Sequence, residues 1–398
     1  MPMVLPPPSR DRVYSIDVLR GIVMILMALD HVRDFFHTGA MTSDPLNPET
    51  THTALYLTRW VTHFCAPVFV FLSGLSVFLM NSRKSKAEIS KFLLTRGLWL
   101  ILVEVTVVSL ALSFNPLFSL FFLQVIWAIG VSFVLLALLV FLPWGAILAL
   151  GAAITLSHNV LDFYEAQPGF QPGLLWELAH KPTYVPHQVF PGHSAIVLYP
   201  FLPWVGVMML GYGCGRLFAP DVSPRLRQSV LVTAGFGMIG VFFLLRAVNV
   251  YGDPLRWEAW PTLSQTLFSF FNVQKYPPSL LYTCATIGPG LIALAALEHA
   301  RGAVSAVCKV YGSVPFFYYV LHFYLIHGLT VIAFFASGYN ASQIVDPQTP
   351  FLFRPADFGF SLPVVYLVWI GVVALLYLPC KRFAEYKRNR RKWWLSYV

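Results

Sequence analysis

An otherwise apolar stretch, residues 14–38, carries Asp17, Arg20, Asp30, His31, Arg33, Asp34 and His37. Asp17, Arg20, Met24, Met27, His31 and Asp34 step by three and four residues, so a helix sets them on one stripe. Asp30, Arg33 and His37 form an adjoining stripe. From Asp17 to His31 the helix would rise about 21 Å. Ionisable side chains within a bilayer are costly and usually face a partner or a water-filled cavity. Histidine exchanges a proton near neutral pH, and a neighbouring carboxylate can fix its tautomer. The spacing therefore points to His31 as a group that takes or gives a proton. Asp34, one turn on, is a better placed partner for it than Asp30. The same residues would also suit a proton relay in a transporter. The plainer alternative makes Asp17 and Arg20 an end pair and lets Asp30 to His37 emerge from the membrane.

Further candidates are His63, Arg96, Glu104, Arg246, His322 and His327. His63, in THFCAPVFVFLSG, falls near the start of a second apolar run and can reach the His31 level. Arg96 and Glu104 are eight residues apart and share a helix face, where ion pairing with other helices is the expected role. His322 and His327 lie in FFYYVLHFYLIHG, an aromatic setting that favours hydrogen-bonded core histidines over site residues. Lys275 and Tyr276 precede Pro277 and Pro278 at a helix start. A helix N-terminus with a lysine can hold an anion, although proline at the first turn also has a purely geometric reason. Cys65, Cys214, Cys284, Cys308 and Cys380 are scattered, without a CxxC pair, and read as buried free thiols. No spacing marks a metal site.

The elements that must position these groups are membrane helices. Of the 398 residues, 57% are apolar and 11% charged, against about 25% charged in a soluble domain. A span needs about 20 largely apolar residues. The sequence offers ten candidates: 14–38, 60–81, 92–114, 121–142, 144–162, 194–217, 228–249, 277–298, 311–335 and 360–380. The fifth is the shortest, following the fourth after Pro143 alone. With alternating spans, only Arg59, Lys181, Arg256, Lys275 and Arg354 of the 27 basic residues fall outside, and Arg20, Arg33, Arg96 and Arg246 fall within helices. The others gather inside, so both termini are expected in the cytoplasm. The reading is an all-α polytopic bundle over residues 14–380, after a cytoplasmic segment 1–13 and before a basic cytoplasmic tail 381–398. That tail reads as a topology anchor, with attachment to anionic lipid as its functional alternative. A net charge of +9 spread between spans excludes nucleic acid as the natural partner. The partner is the lipid bilayer, and a homo-oligomer stays open.

Read in order, SIDVLRGIVMILMALDH, RWVTHFCAPVFVFLSG, LYPFLPWVGVMMLGYGCG, VQKYPPSLLY and YGSVPFFYYVLHFYLIH resemble bacterial proteins of the heparan-alpha-glucosaminide N-acetyltransferase catalytic-domain family. The resemblance runs from about residue 12 to 335. The first helix also resembles wider transmembrane acyltransferases, whose Asp, Leu-Arg and distal His correspond to Asp17, Leu19–Arg20 and His31. It implies a multi-pass inner-membrane enzyme that moves an acetyl group from cytoplasmic acetyl-CoA to an extracytoplasmic sugar or glycan. It implies His31 as the catalytic histidine, acting as base or acyl carrier; eukaryotic members look as if asparagine occupies that position and their active histidine follows in the first luminal loop, where this chain offers His37 and His52, so that the order of candidates is His31, then His63, then His52. Arg20 and Arg96, with Asp17 beside them, become candidates for CoA binding. Arg33, Lys275, Tyr276 and His322 become candidates for acceptor binding.

Overall fold

Apolar runs become helices until a proline, a strand or a polar loop stops them. In the computed structural model, which describes residues 13–390 and 392–397, the helices in chain order are α1 (Tyr14–Phe36), α2 (Thr53–Val61), α3 (Cys65–Leu79), α4 (Lys86–Val103), α5 (Ser109–Ser113), α6 (Val125–Leu139), α7 (Trp144–Ser157) and α8 (Val160–Glu165). They continue with α9 (Leu174–Ala179), α10 (Phe201–Cys214), α11 (Pro224–Val248), α12 (Leu263–Phe271), α13 (Leu280–Ala296), α14 (Ala303–Ser313), α15 (Pro315–Ala336) and α16 (Leu362–Asn389). Among the described residues, 7 helical stretches are long and apolar enough to cross a membrane: Thr53–Ser82, Lys86–Ser113, Trp144–Glu165, Phe201–Phe218, Pro224–Val248, Pro315–Ala336 and Leu362–Asn389. α6 and α13 are apolar but shorter. α1 has 23 residues, and its charges set it apart from those stretches. The protein is a helical membrane bundle.

Several boundaries differ from those read in the sequence. The second span starts early, because α2 runs through a 3-10 turn, Thr62–Phe64, into α3. The expected spans 121–142 and 194–217 each open as a strand, and their helices begin only at Val125 and Phe201. The span 311–335 is broken at Val314, since Pro315 disfavours helical backbone at the residue before it. α16 runs to Asn389 and absorbs residues 381–389 of the expected tail. Beyond it the chain folds back, and the Tyr397 hydroxyl donates to Thr95 Oγ1 on α4. The basic end is thus partly a packed element. Segment 1–12 lies outside the described residues.

The strands β1 (Leu120–Leu123), β2 (His187–Phe190) and β3 (His193–Val197) form a small sheet in the order β1-β3-β2. β1 and β3 are parallel, with Leu120 opposite Ser194 and Leu123 opposite Val197. β2 pairs antiparallel to β3 across a Pro191–Gly192 turn, where Gly192 takes a φ of 79°, a left-handed value that glycine adopts without steric cost. Because β1 and β3 run the same way, Gln124–Val125 and Leu198–Tyr199 leave the sheet together.

α1 packs against α14, α16, α15 and α3, which makes it a central helix. Contact with α14 is backbone to backbone. A Cβ on Gly21 would lie 1.7 Å from the Cys308 carbonyl oxygen, and one on Gly312 would lie 1.8 Å from that of Asp17. α3 and α10 approach as closely, through Gly74 and Gly211. Small residues let membrane helices close to this range, where packing replaces the missing hydrophobic drive. The polar stripe of α1 is thereby held among helices.

Candidate active site

His31 is half-buried and lines a cavity of about 290 Å³ together with Met27, Asp30, Arg33 and Asp34 of the same helix. Its ring centroid lies 4.2 Å from that of Phe323 and 5.2 Å from that of His322, both on α15. Among the described residues it makes no hydrogen bond. Aromatic contacts therefore hold the ring, and its nitrogens stay without a hydrogen bond among the described residues.

Neither carboxylate named in the sequence reading bonds to His31. Asp30 accepts two contacts from Arg59 Nη1 at 3.1 Å and one from Thr62 Oγ1 at 2.9 Å. It also pairs with Arg33 Nη2 at 3.0 Å and with Lys275 Nζ at 3.6 Å. Asp34 takes a 2.6 Å hydrogen bond from Arg33 Nη2. One turn of separation along α1 is the right distance for contact, but three cations converge on this level and claim both carboxylates. Asp30 neutralises a basic cluster instead of orienting the histidine.

The remaining candidates separate clearly. Lys275 and Tyr276 line the cavity. Arg246 on α11 holds the start of their loop by donating to the carbonyls of Ser269, Phe270 and Asn272. Asp253 holds the rest, accepting from the amides of Leu255 (2.8 Å) and Gln274 (2.9 Å) and from the Ser279 hydroxyl (2.5 Å). Burial pushes the Asp253 carboxyl up to about 6, against the opposing pull of these bonds and of Arg246. His322 is buried behind His31. Its Nδ1 lies 2.5 Å from the Tyr319 carbonyl and so must carry the proton, and its Nε2 has no partner among the described residues. His63 is buried in the turn between α2 and α3, edge-on to Tyr282, with neither ring nitrogen partnered among the described residues. It does not line the cavity. His52 caps α2 through its side chain, and His37 follows the end of α1. His327 is a core residue between the carbonyls of Ala111 and Leu352. Glu104 does not form the expected ion pair among the described residues. It accepts the Gln124 amide at 2.7 Å, at the start of α6.

A second cavity, of about 250 Å³, shares α1 and α3 with the first. It is lined by Arg20, Ser73, Ser76, Arg96 and Lys387, among others. Arg20 Nη2 donates to Ser76 Oγ at 2.8 Å, and Arg20 Nη1 reaches Asp17 at 3.1 Å. Arg20 and Arg96 thus meet in one cavity, with Asp17 acting behind Arg20. Phe69 of α3 lines both cavities. From Arg20 to His31 is eleven residues of α1, about 16 Å of rise.

Reading the sequence missed Arg59, Tyr199, Gln124 and Tyr319 in the first cavity and Phe69 and Lys387 in the second. Arg59 sits four residues before His63 in a motif already noted, yet it counted only as an outside charge. Tyr199 and Gln124 depend on the parallel pairing of β1 with β3, which no local pattern announces. Away from both cavities, Asp162, Glu165 and His180 converge with donor atoms within 4.8 Å of one another. Glu165 Oε1 is already bonded by His180 Nδ1 and Trp176 Nε1, both at 2.7 Å. These groups form a hydrogen-bonded cluster that spacing alone had not marked.

The family model for the catalytic region of heparan-alpha-glucosaminide N-acetyltransferase matches residues 12–244, more than half of the chain. The chain belongs to this family. Membership implies, in general, a transmembrane acetyltransferase. No curated protein matches the chain. The matched region holds His31, Asp30, Arg59, Phe69 and the Arg20 cavity wall up to Phe133. It ends short of the expected residue 335, so Lys275, Tyr276 and Tyr319 come from the unmatched part.

Proposed function

We propose that the protein transfers an acetyl group from cytoplasmic acetyl-CoA to an amine or hydroxyl of an extracytoplasmic sugar or glycan. In this reading ten helices cross the inner membrane: the seven long apolar stretches with α1, α6 and α13. Both termini are cytoplasmic, in keeping with the distribution of basic residues. The Arg20 cavity then faces the cytoplasm and the His31 cavity faces outward.

One observation carries the proposal: a single polar stripe of α1 serves two cavities, with His31 in one and Arg20 in the other. Arg20, Arg96 and Lys387 offer the cations that CoA phosphates need. The pantetheine arm would pass Phe69 to bring its thioester beside His31. His31 accepts the proton of the acceptor amine or hydroxyl as that group attacks the thioester carbonyl. The carbon–sulfur bond breaks, and the thiolate leaves to be protonated as CoA.

The test uses purified protein, radiolabelled acetyl-CoA and a panel of amino sugars and glycans. Wild type is expected to transfer label. His31→Ala is expected to lose about 10² to 10⁴ in rate while still binding acetyl-CoA. Absence of binding, hydrolysis and transfer by wild type would overturn the proposal. Full activity in His31→Ala would overturn the assignment of the base. Label retained on the protein without acceptor would identify an acyl-imidazole route at the same residue.

A further inference from the structure

Asp162 and Glu165 are three residues apart on α8, so they share a face. His180 directly follows α9. One oxygen of each carboxylate and one nitrogen of the imidazole lie within 4.8 Å of one another. The Glu165 and His180 side chains are buried, 2% and 1% exposed, and Asp162 stands half-buried beside them. None of the three lines the His31 cavity or the Arg20 cavity.

Each of the three has one atom tied by a side chain outside the group. Asp162 Oδ2 accepts from Asn159 Nδ2 at 2.7 Å, and its Oδ1 accepts no hydrogen bond among the described residues. Glu165 Oε1 accepts from Trp176 Nε1 at 2.7 Å. His180 Nε2 faces His158 Nδ1 at 3.1 Å, and its Nδ1 faces Glu165 Oε1 at 2.7 Å. Metal ligands are held in this way, with an outer partner on the second atom aiming the first. Glu165 Oε2 is an independent sign. It belongs to a buried side chain, yet among the described residues it accepts no hydrogen bond and meets only the Lys181 ammonium, at 3.6 Å on a side chain 42% exposed. A buried carboxylate oxygen left without a donor is costly, and an exposed ammonium offsets little of that cost.

We infer that Asp162, Glu165 and His180 bind a divalent cation of the zinc class, through Asp162 Oδ1, Glu165 Oε2 and His180 Nδ1. One imidazole with two carboxylates suits such an ion, whereas Ca²⁺ and Mg²⁺ take oxygen ligands. The two carboxylates cancel its charge, and Lys181 withdraws to water. The protons balance along the histidine pair. His180 gives up its Nδ1 proton and takes one on Nε2 from His158 Nδ1, while His158 regains a proton on its own Nε2. Both rings stay neutral, and His158 becomes the acceptor that orients the ligand. Three protein ligands leave a fourth position for water. The ion ties α8 to α9 across the intervening loop, on the outer side of the membrane in the orientation proposed above.

The experiment measures metal binding and so does not depend on acetyl transfer. The full chain, purified in neutral detergent and stripped with a chelator, is titrated with Zn²⁺, and separately with Ca²⁺ and Mg²⁺. Wild type is expected to bind one Zn²⁺ per chain at this site and to unfold at a higher temperature with the ion than without it. Glu165→Gln, which keeps an acceptor for Trp176, and His180→Gln are expected to lose that equivalent and the rise in midpoint. Should either buried variant fail to fold, Asp162→Asn carries the test, since its side chain is half-buried and the amide oxygen can still accept from Asn159. Trp176→Phe keeps all three ligands and is expected to weaken binding about 10- to 100-fold, the usual cost of losing an outer partner. Absence of saturable Zn²⁺ binding by wild type, or binding unchanged in Asp162→Asn, would overturn the inference. Ca²⁺ or Mg²⁺ binding as tightly as Zn²⁺ would overturn the assignment of the ion class.

Discussion

Asp30→Asn separates the two roles that the geometry gives this carboxylate. The side chain is nearly the same size, so the change removes charge and little else. In the wild type Asp30 faces Arg33 and Arg59 at hydrogen-bonding distance and Lys275 slightly farther off. Removing one partner from a buried ion pair costs about 3–5 kcal/mol, because the opposite charge stays buried and unpaired. Here three cations lose their shared partner, which puts Asp30→Asn at the upper part of that range. Asp34→Asn is the internal comparison. Its side chain is 36% exposed and bonds a single arginine, so a cost of about 1 kcal/mol or less is expected. Denaturation in mixed micelles, followed by tryptophan fluorescence, measures both. Equal destabilisation by the two substitutions would refute the view of Asp30 as the hub.

Three further outcomes follow from particular contacts. With Cys214, Cys284, Cys308 and Cys380 replaced by serine, Phe69→Ala should, in the proposed orientation, let a membrane-impermeant maleimide reach Cys65 from the cytoplasmic face of inverted vesicles, since Phe69 is shared by both cavities and Cys65 lines the His31 cavity. Unchanged labelling would show that Phe69 does not divide them. Gly312→Ala should destabilise by about 1–3 kcal/mol through overpacking against α1, whereas Gly237→Ala, with open space around its Cβ position, should be neutral or better in the same unfolding assay. For Asp253 the sign runs opposite to an ordinary paired carboxylate. Its folded value of about 6 lies above the ordinary 3.8, so the folded state holds the proton more tightly. Its contribution to stability is therefore complete below about pH 4 and falls away as the pH rises through 6, by on the order of 3 kcal/mol. Asp253→Asn should flatten that window in a pH series of unfolding midpoints, and an unaltered slope would contradict it.

How much of this was legible in the sequence depends on whether a signal is periodic or topological. The stripe from Arg20 through Met24 and Met27 to His31 and Asp34 was readable, because a 3.6-residue period fixes which side chains share a face regardless of what packs there. Apolar runs gave most spans for the same reason. The short sheet escaped because LFFL and HSAIV have no alternation distinguishing them from the adjoining helical runs, and only their mutual pairing makes them strands. That His31 has no carboxylate partner among the described residues escaped for a different reason. Spacing shows that Asp34 can reach one turn back, but it cannot show that Arg33, Arg59 and Lys275 arrive from three segments to compete for the acids. Arg59 lies 29 residues from Asp30 in sequence and bonds it directly. Once those cations are present, Coulomb attraction favours carboxylate–guanidinium pairing over a hydrogen bond to a neutral imidazole. His31 is left with aromatic neighbours and unoccupied nitrogens. For a general base this is an advantage, since a group that must collect a proton from an incoming acceptor works best when no internal partner has first claim on its lone pair.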